Sequence, residues 1–351
     1  MRAELALRLA VVLFNLGGPD SPSAVEPFLK NLFSDPAILP LPAWLREPAA
    51  RLIAKRRTPV ARAIYERIGG KSPILEQTAA QADALEQDLV RRGAEARVFV
   101  AMRAWHPMSD ETAEAVAVFA PDGVVLLPLY PQFSTTTTAS SLSAWRAAAA
   151  KAGLSAEHKR VCCYPWNEGF IKSLAERVRT SLLHRRPDLS YRLLFSAHGL
   201  PQRIVDRGDP YRWQIERTVG ALVHELGDDA RDWRISYQSR VGPLKWLAPA
   251  IDEEIRRAGS EGKGLVVVPV AFVSEHSETL VELDMDYAAL AHKAGVPDYL
   301  RAATVGTSEA FIRGLGDLVL RAIASPEPVT CSAGRICPPG LALCGMSEAR
   351  Q

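Results

Sequence analysis

The chain has 351 residues, enough for two domains at roughly 100–200 residues each. Its 42 Lys and Arg residues nearly balance its 40 Asp and Glu residues, so nothing in the charge favours a nucleic-acid partner. No window holds the roughly 20 consecutive apolar residues of a membrane-spanning helix, and residues 1–10 lack the apolar core of a signal peptide, so we expect a cytoplasmic protein.

Apolar runs that suit buried strands alternate with stretches of helical periodicity along the whole chain. This alternation is typical of parallel sheets covered on both faces, so we predict an α/β fold of two Rossmann-like domains, each a parallel sheet flanked by helices. The predicted strands are 9–14, 97–101, 124–127, 160–163, 192–195, 234–237, 265–268 and 300–303. The predicted helices are 73–92, 111–119, 169–183, 211–226, 244–258, 278–294 and 308–323.

The predicted domain boundary lies near residues 148–153. The first domain covers 1–150 and is completed by the helix at 308–323, the second covers 151–303, and 326–351 form a tail. The tail is rich in Pro, Gly and Cys and has no periodicity.

Two glycine-containing segments resemble nucleotide-binding motifs without completing either of them. Gly17 and Gly18 follow the first predicted strand but do not form G-x-G-x-x-G, and the segment before Ser72 has Tyr65 where a P-loop needs glycine. We therefore expect no nucleotide cofactor.

Polar side chains follow three strands of the predicted second domain. His198 follows the strand at 192–195, Gln238-Ser239-Arg240 follows the strand at 234–237, and His276 and Glu278 follow the strand at 265–268. Because ligands bind beyond the carboxyl ends of parallel strands, we expect these side chains to converge on one cleft.

An acidic stripe extends from that junction. Glu278, Glu282 and Asp286 recur at i, i+4 and i+8, which places like charges on one face of the predicted helix, where they repel. Two interpretations of the stripe are equally good. It is either an ordinary solvated helix face, or a path for a divalent cation or an exit for protons.

Nine segments in this order resemble the ferrochelatase family, the terminal enzymes of haem synthesis, over residues 11–323. They are LFNLGGP at 13–19, AKRRTP at 54–59, IGGKSPI at 68–74, AMR at 101–103, WHP at 105–107, YPQFS at 130–134, SAHGLP at 196–201, YQSRVGP at 237–243 and SEHSETLVELD at 274–284.

The resemblance implies a class II chelatase-like enzyme that inserts Fe²⁺ into protoporphyrin IX and releases two protons, with coproporphyrin left open as the substrate. His198 and Glu278 take the catalytic positions. Whether His198 accepts protons or delivers iron is not decided by the sequence. The residues expected to meet the substrate iron are His198, Glu278, His276, Glu282 and Asp286.

A porphyrin needs an apolar slot and partners for its carboxylates. The expected porphyrin-binding residues are Leu16, Leu32, Phe33, Arg57, Ile64, Tyr65, Ser72, Arg103, Tyr130, Ser239 and Trp246. Many relatives have Tyr where this chain has Ala104, which would loosen one wall of the pocket. Residues 40–57 would form a lip whose apolar and basic side chains suit peripheral contact with an anionic membrane, although an ordinary amphipathic helix has the same composition.

Three of the five cysteines, Cys331, Cys337 and Cys344, lie in the tail without zinc-finger spacing, and Cys162 and Cys163 are adjacent. Some ferrochelatases hold a [2Fe–2S] cluster on C-terminal cysteines and one internal cysteine. The resemblance thus implies a structural cluster on Cys331, Cys337, Cys344 and either Cys162 or Cys163. Ordinary thiols are the alternative. If both internal residues lay on a strand, their side chains would face opposite ways.

Two other functions compete with iron insertion into a porphyrin. One is a chelatase of the same fold for another metal and tetrapyrrole, such as cobalt and sirohydrochlorin, and the other is a non-catalytic porphyrin or haem carrier. A carrier needs no base, so His198 and the acidic stripe count against it. A homodimer is among the assemblies that the sequence leaves open.

Overall fold

The computed structural model describes residues 7–240, 242–331 and 335–347. The chain divides into two compact units, which we call the first unit (Met1–Tyr164, Ile312–Ile336 and Gly345–Gln351) and the second unit (Pro165–Phe311 and Cys337–Cys344). The division falls after Tyr164 and not near residues 148–153. The reason is that the strand Glu157–Val161 pairs with Gly123–Pro128 and extends the first sheet.

The first unit contains a five-stranded parallel sheet. Its strands are β1 (Arg8–Asn15), β2 (Glu95–Met102), β3 (Gly123–Pro128), β4 (Glu157–Val161) and β9 (Val329–Thr330), in the order β2-β1-β3-β4-β9. The helices α1 (Val25–Phe33), α2 (Ala43–Glu66), α3 (Ile74–Arg91), α4 (Ser109–Phe119) and α5 (Thr138–Lys151) connect them. Residues Leu9–Asn15 of β1 are buried, as expected for an inner strand covered on both faces.

The second unit contains a four-stranded parallel sheet. Its strands are β5 (Tyr191–His198), β6 (Trp233–Gln238), β7 (Gly264–Pro269) and β8 (Tyr299–Arg301), in the order β6-β5-β7-β8. Its helices are α6 (Glu168–Leu182), α7 (Gln202–Asp206), α8 (Tyr211–Leu226), α9 (Ile251–Ser260) and α10 (Tyr287–Lys293), and α11 (Glu309–Ala324) begins here and continues in the first unit. The α/β prediction with two parallel sheets is confirmed.

Several predicted elements have other bounds in the structure; the strand expected at 192–195, for example, extends to His198. The helix expected at 244–258 begins only at Ile251, because residues before it run beside other chain segments: Tyr237 donates its N–H to the Pro249 carbonyl at 3.0 Å. The strand expected at 160–163 ends at Val161. The helix expected at 278–294 is π-helical over Glu278–Asp286 and α-helical only from Tyr287.

The 24-residue helix α2 is the longest of the described elements and carries six Arg or Lys side chains between Arg46 and Arg62. Within the described residues, no helix combines the length and the apolar character that crossing a bilayer requires.

Candidate active site

His198 is the last residue of β5, at the carboxyl end of one of the two inner strands of the second sheet. The Tyr211 hydroxyl donates to its carbonyl oxygen at 3.0 Å. The next residue, Gly199, donates its N–H to the Gln238 carbonyl at 2.9 Å, and a Cβ there would lie 2.8 Å from that oxygen. Glycine is therefore the residue that lets β5 and β6 stay this close beyond His198.

Trp246 lies against the same segment. Its indole is 3.5 Å from the position of a Gly199 Cβ, and it forms an antiparallel bridge with Pro201. These contacts place Trp246, a predicted porphyrin-binding residue, beside the residue that follows His198. Its side chain is half-buried.

His198 and Glu278 form a close pair. His198 Nδ1 lies 2.8 Å from Glu278 Oε2, and the His198 side chain is 38% exposed. Burial alone would lower the pKa of His198, but the charge and hydrogen bond of Glu278 outweigh it and raise the pKa. Burial likewise acts to raise the pKa of Glu278, yet His198 and His276 hold it well below its ordinary range. Glu278 is therefore the ionised partner.

His276 lies near the same carboxylate oxygen. Its Nε2 lies 3.8 Å from Glu278 Oε2, and its Nδ1 lies 3.2 Å from the Ser274 carbonyl. A carbonyl can only accept, so this geometry fits a proton on Nδ1 and directs Nε2 towards Glu278.

The second acid of the stripe, Glu282, meets the end of β6. Ser239 Oγ donates to Glu282 Oε2 at 2.6 Å, and Gln238 Nε2 donates to the same oxygen at 3.2 Å. The Ser196 hydroxyl donates to Gln238 Oε1 at 2.7 Å, which fixes the amide with its nitrogen towards Glu282. Burial and the charge of Glu278 raise the pKa of Glu282.

The π-helical segment changes the geometry predicted for the stripe. Hydrogen bonds from residue i+5 to residue i replace the i+4 pattern, as from Tyr287 N–H to the Glu282 carbonyl. Glu278, Glu282 and Asp286 therefore do not share one α-helical face. Such segments occur frequently at functional sites.

These side chains do not form a closed metal cage. Among the described residues, three or more ligand-type side chains have their ligand atoms within 4.8 Å of one another only at Cys162, Cys163 and Cys331. Near His198, Glu278 Oε2 instead lies 2.8 Å from His198 Nδ1 and 3.8 Å from His276 Nε2.

The first unit contains most of the other predicted porphyrin-binding residues. Leu32 and Phe33 of α1 pack against a small apolar core that includes Tyr65 and Ala104. Ala104, where many relatives have Tyr, is 1% exposed and belongs to this core. Of the other predicted porphyrin-binding residues in the first unit, Leu16 and Ile64 are half-buried and Ser72 is buried. Arg57 is exposed, and its Cζ lies 5.9 Å from the Phe33 ring centroid.

Arg103 has protein partners that the sequence did not indicate. Its Nη2 lies 3.0 Å from Asp35 Oδ2, and its Nε donates to Ser140 Oγ at 2.6 Å. Asp35 is 3% exposed and also accepts from the Ser140 hydroxyl. Burial raises the pKa of the nearby Tyr130. The ion pair fixes the segment between α1 and α2 against the end of β2.

Three cysteines meet in the first unit. Cys162 and Cys331 directly follow the paired strands β4 and β9, where Val161 is in register with Thr330. The sulfur atoms of Cys162, Cys163 and Cys331 lie within 4.8 Å of one another, with Cys163 Sγ 3.7 Å from Cys331 Sγ. Since β4 ends at Val161, strand alternation does not separate the two internal thiols.

The other two cysteines belong to the second unit. Cys337 is buried and accepts a hydrogen bond from Gln214 Nε2 at 3.2 Å, and Cys344 is also buried. The tail segment that holds them contacts the loop after α7, where the Leu343 N–H donates to the Gly208 carbonyl at 3.2 Å.

Comparison with known proteins identifies the family. A sequence model described as Ferrochelatase matches residues 8–323. The chain belongs to the ferrochelatase family. It is 56% identical over 319 residues to a ferrochelatase of Phenylobacterium zucineum, covering 90% of this chain and 92% of that protein. It is 52% identical over 333 residues to a ferrochelatase of Caulobacter vibrioides, covering 94% and 95%. The family prediction from the sequence is confirmed.

Solved structures show a related fold. SirB from Bacillus subtilis with Fe³⁺ matches with a TM-score of 0.55 at 12% identity, covering 91% of this chain and 96% of that one. The sirohydrochlorin chelatase SirB from Bacillus subtilis subspecies spizizenii in complex with cobalt matches with a TM-score of 0.54 at 12% identity, covering 92% and 97%. At this identity the likeness shows the fold alone.

Sequence reasoning placed Gln238 at the cleft without a partner and gave Asp35 no role. Gln238 belongs to a quoted motif, but only its burial and its contacts with Ser196 and Glu282 reveal that it orients an acid. Asp35 lies in a segment for which no element was predicted, and its pairing with Arg103 spans distant parts of the sequence. No signal in the local pattern could have found either contact.

Proposed function

We propose that this chain is a ferrochelatase that inserts Fe²⁺ into protoporphyrin IX and releases two protons. The observation that carries the proposal is the His198–Glu278 pair at the carboxyl end of β5, in a chain of the ferrochelatase family. A porphyrin loses both pyrrole protons when it is metalated, so a base is the essential group, and no nucleotide or electron transfer is needed.

His198 is suited to accept a pyrrole proton. When Nδ1–H donates to the Glu278 carboxylate, Nε2 carries the lone pair, as in a catalytic triad in which a carboxylate orients an imidazole. Glu278 also stabilises the imidazolium that forms, in keeping with the raised pKa of His198. The alternative role, delivery of iron by His198, uses the same atoms, since imidazole and carboxylate both bind Fe²⁺.

The proposed contacts with the substrate iron are His198, His276, Glu278, Glu282 and Asp286. The pairwise spacing of His198, Glu278 and His276 would let the metal bind and leave, as insertion requires.

We assign porphyrin contacts to nine of the eleven side chains that the family resemblance implies. They are Leu16, Leu32, Phe33, Arg57, Ile64, Tyr65, Ser72, Tyr130 and Trp246. Arg103 and Ser239 already bond to Asp35 and Glu282, so we assign these two to holding the site rather than to binding the porphyrin.

A steady-state assay under anaerobic conditions tests the function. We expect many turnovers with Fe²⁺ and protoporphyrin IX. Faster turnover with coproporphyrin would change the assigned substrate, and turnover only with Co²⁺ and sirohydrochlorin would refute the proposal in favour of the related chelatase. Stoichiometric binding without turnover would identify a carrier.

We also propose that the cysteines hold a [2Fe–2S] cluster with a structural role. Three buried thiols within 4.8 Å, with no carboxylate or imidazole in the group, fit the thiolate ligands that such clusters use. Cys331 and one of Cys162 and Cys163 would be joined by Cys337 and Cys344. The group would supply covalent cross-links to the aperiodic tail.

Anaerobically purified protein is then expected to be reddish-brown, with about two irons and two acid-labile sulfides per chain. Cys331→Ser should remove the colour. Colourless protein without sulfide, made under iron-replete conditions, would leave these residues as ordinary thiols.

We further propose peripheral membrane contact through residues 40–57. Trp44 is 75% exposed and Leu52 is 51% exposed on α2, next to exposed Lys55, Arg56 and Arg57. Apolar and basic side chains together suit an anionic lipid surface. Trp44→Ala should reduce co-sedimentation with phosphatidylglycerol vesicles, while Val118→Ala, at a position 88% exposed, should not. Equal effects of the two changes would argue against this surface.

A further inference from the structure

Arg301 lies at the end of β8 and joins two carboxylates of the second unit. Its Nε and Nη2 donate to Asp284 Oδ1 and Oδ2 at 2.7 and 2.6 Å, and its Nη1 donates to Glu275 Oε1 at 2.7 Å. The side chain is only 12% exposed. The planar guanidinium thus binds Asp284 in a bidentate manner and Glu275 through a single hydrogen bond.

The two acids flank the segment that contains the proposed catalytic groups. Glu275 immediately precedes His276, and Asp284 follows Glu282 by two positions. One guanidinium thus contacts the chain on both sides of His276, Glu278 and Glu282.

Two further contacts come from the same part of the sheet. Thr304 N–H donates to Glu275 Oε1 at 2.9 Å, and the Tyr299 hydroxyl donates to the Leu283 carbonyl at 2.7 Å. The latter bond takes up a main-chain carbonyl of the π-helical segment. The segment is therefore held from β8 and the residues after it, while Gln238 and Ser239 contact it from β6.

We infer that Arg301 is a positioning residue for metal insertion: it sets the distance between His276, Glu278 and Glu282 by fixing both flanks of their segment. The inference rests on the proposed function. Arg301 does not touch His198, and its effect on the reaction passes through Glu275 and Asp284. Lysine keeps the charge but has no planar fork, so it cannot hold both acids in this geometry.

Arg192 offers a matched control in the same unit. It lies near the start of β5, whereas His198 ends that strand, and its side chain is 4% exposed. Its Nε and Nη2 contact Asp232 at 2.8 and 3.2 Å, and Nη2 contacts Glu261 Oε2 at 2.7 Å. Arg192 thus also joins two acids while buried, but at the opposite end of the sheet.

The experiment compares Arg301→Lys with Arg192→Lys in the full chain, using Fe²⁺ and protoporphyrin IX under anaerobic conditions. We expect both variants to lose thermal stability to a similar degree. We expect kcat of Arg301→Lys to fall about 100-fold, the cost of displacing reacting groups by about 1 Å, with an unchanged KM for porphyrin. Arg192→Lys should keep the wild-type kcat.

A second pair of variants covers the case in which Arg301→Lys does not fold. Asp284→Asn removes the doubly contacted carboxylate and should lower kcat in the same way, whereas Asp232→Asn should not. Wild-type kcat in Arg301→Lys or Asp284→Asn, or equal losses in each variant and its control, would overturn the inference. A wild-type protein without turnover would instead refute the proposed function.

Discussion

Gly199→Ala tests whether the spacing of β5 and β6 beyond His198 sets the activity. An alanine Cβ would lie 2.8 Å from the Gln238 carbonyl oxygen, a main-chain atom that cannot rotate away. Ordinary contacts begin at 3.4 Å, so the two chain segments must separate by about 0.6 Å. The Gly199 N–H donates to the same oxygen at 2.9 Å, so this hydrogen bond must lengthen when the two segments separate.

The expected loss of stability follows from the overlap. Forcing one extra carbon into a packed site costs about 1–3 kcal/mol, which includes the weakened hydrogen bond. The loss of activity should exceed what the loss of stability suggests. His198 of β5 is in register with Gln238 of β6, and Gln238 orients Glu282, so separating the two strands moves His198 away from Glu282. A displacement near 0.6 Å of His198 relative to these groups should lower kcat about tenfold or more.

The assay is steady-state iron insertion together with urea unfolding, with Gly220→Ala as the control. Gly220 is an exposed residue of α8, and a Cβ there would meet nothing within 4 Å. Alanine in an exposed helix should stabilise by about 0.5–1 kcal/mol and leave kcat unchanged. Wild-type kcat in Gly199→Ala, with the fold intact, would refute the claim that this close approach matters for turnover.

Three further predictions concern the pair and the stripe. His198→Ala should keep the fold and porphyrin binding but lower insertion by about 10²–10⁴-fold, and near-normal turnover with unchanged stability would remove His198 from the mechanism. Glu278→Gln should abolish turnover, while Asp286→Asn should alter chiefly the dependence on Fe²⁺ concentration; a wild-type rate for Glu278→Gln would contradict the proton path. The raised pKa of His198 means that its stabilising contribution is full below about pH 6.5 and is lost as the pH rises through the folded-state pKa. The lowered pKa of Glu278 keeps its own contribution in place above about pH 4.3. In urea unfolding, His198→Ala should therefore be destabilised more at about pH 5.5 than at about pH 8.5, and the opposite order would contradict this sign.

The elements that could be predicted from the sequence are those whose local pattern and tertiary setting agree. α8 begins at Tyr211 and ends at Leu226 as predicted, because its apolar residues recur at helical spacing and Gly227 follows. β7 is a continuous apolar run and is fully buried. Runs of this kind are typical of parallel strands covered on both faces, so the fold class followed from them.

Elements that depend on distant pairing were missed. β9 has only two residues, and it is a strand because Val329 and Thr330 pair with Arg160 and Val161 of β4. No local pattern marks so short an element within an aperiodic tail. The same pairing brings Cys331 close to both Cys162 and Cys163, whereas the family resemblance implied only one of these two, together with Cys337 and Cys344.

The acidic stripe shows most clearly why spacing alone is insufficient. Glu278 and Glu282 are four residues apart, and the α-helix that this spacing predicts would give them similar surroundings on one face. In the π-helical segment, Glu278 instead pairs with His198 while Glu282 accepts from Ser239 and Gln238.

The pKa of Glu278 is consequently lowered and that of Glu282 raised. Two acids whose environments move their pKa values apart can take different parts in one reaction. In the proposed mechanism, Glu278 would remain ionised to orient His198 and stabilise its protonated form, and Glu282 would be the acid that takes up a proton. The different surroundings of the two acids come from the strands that contact the segment, so they could not be predicted from the sequence of the segment alone.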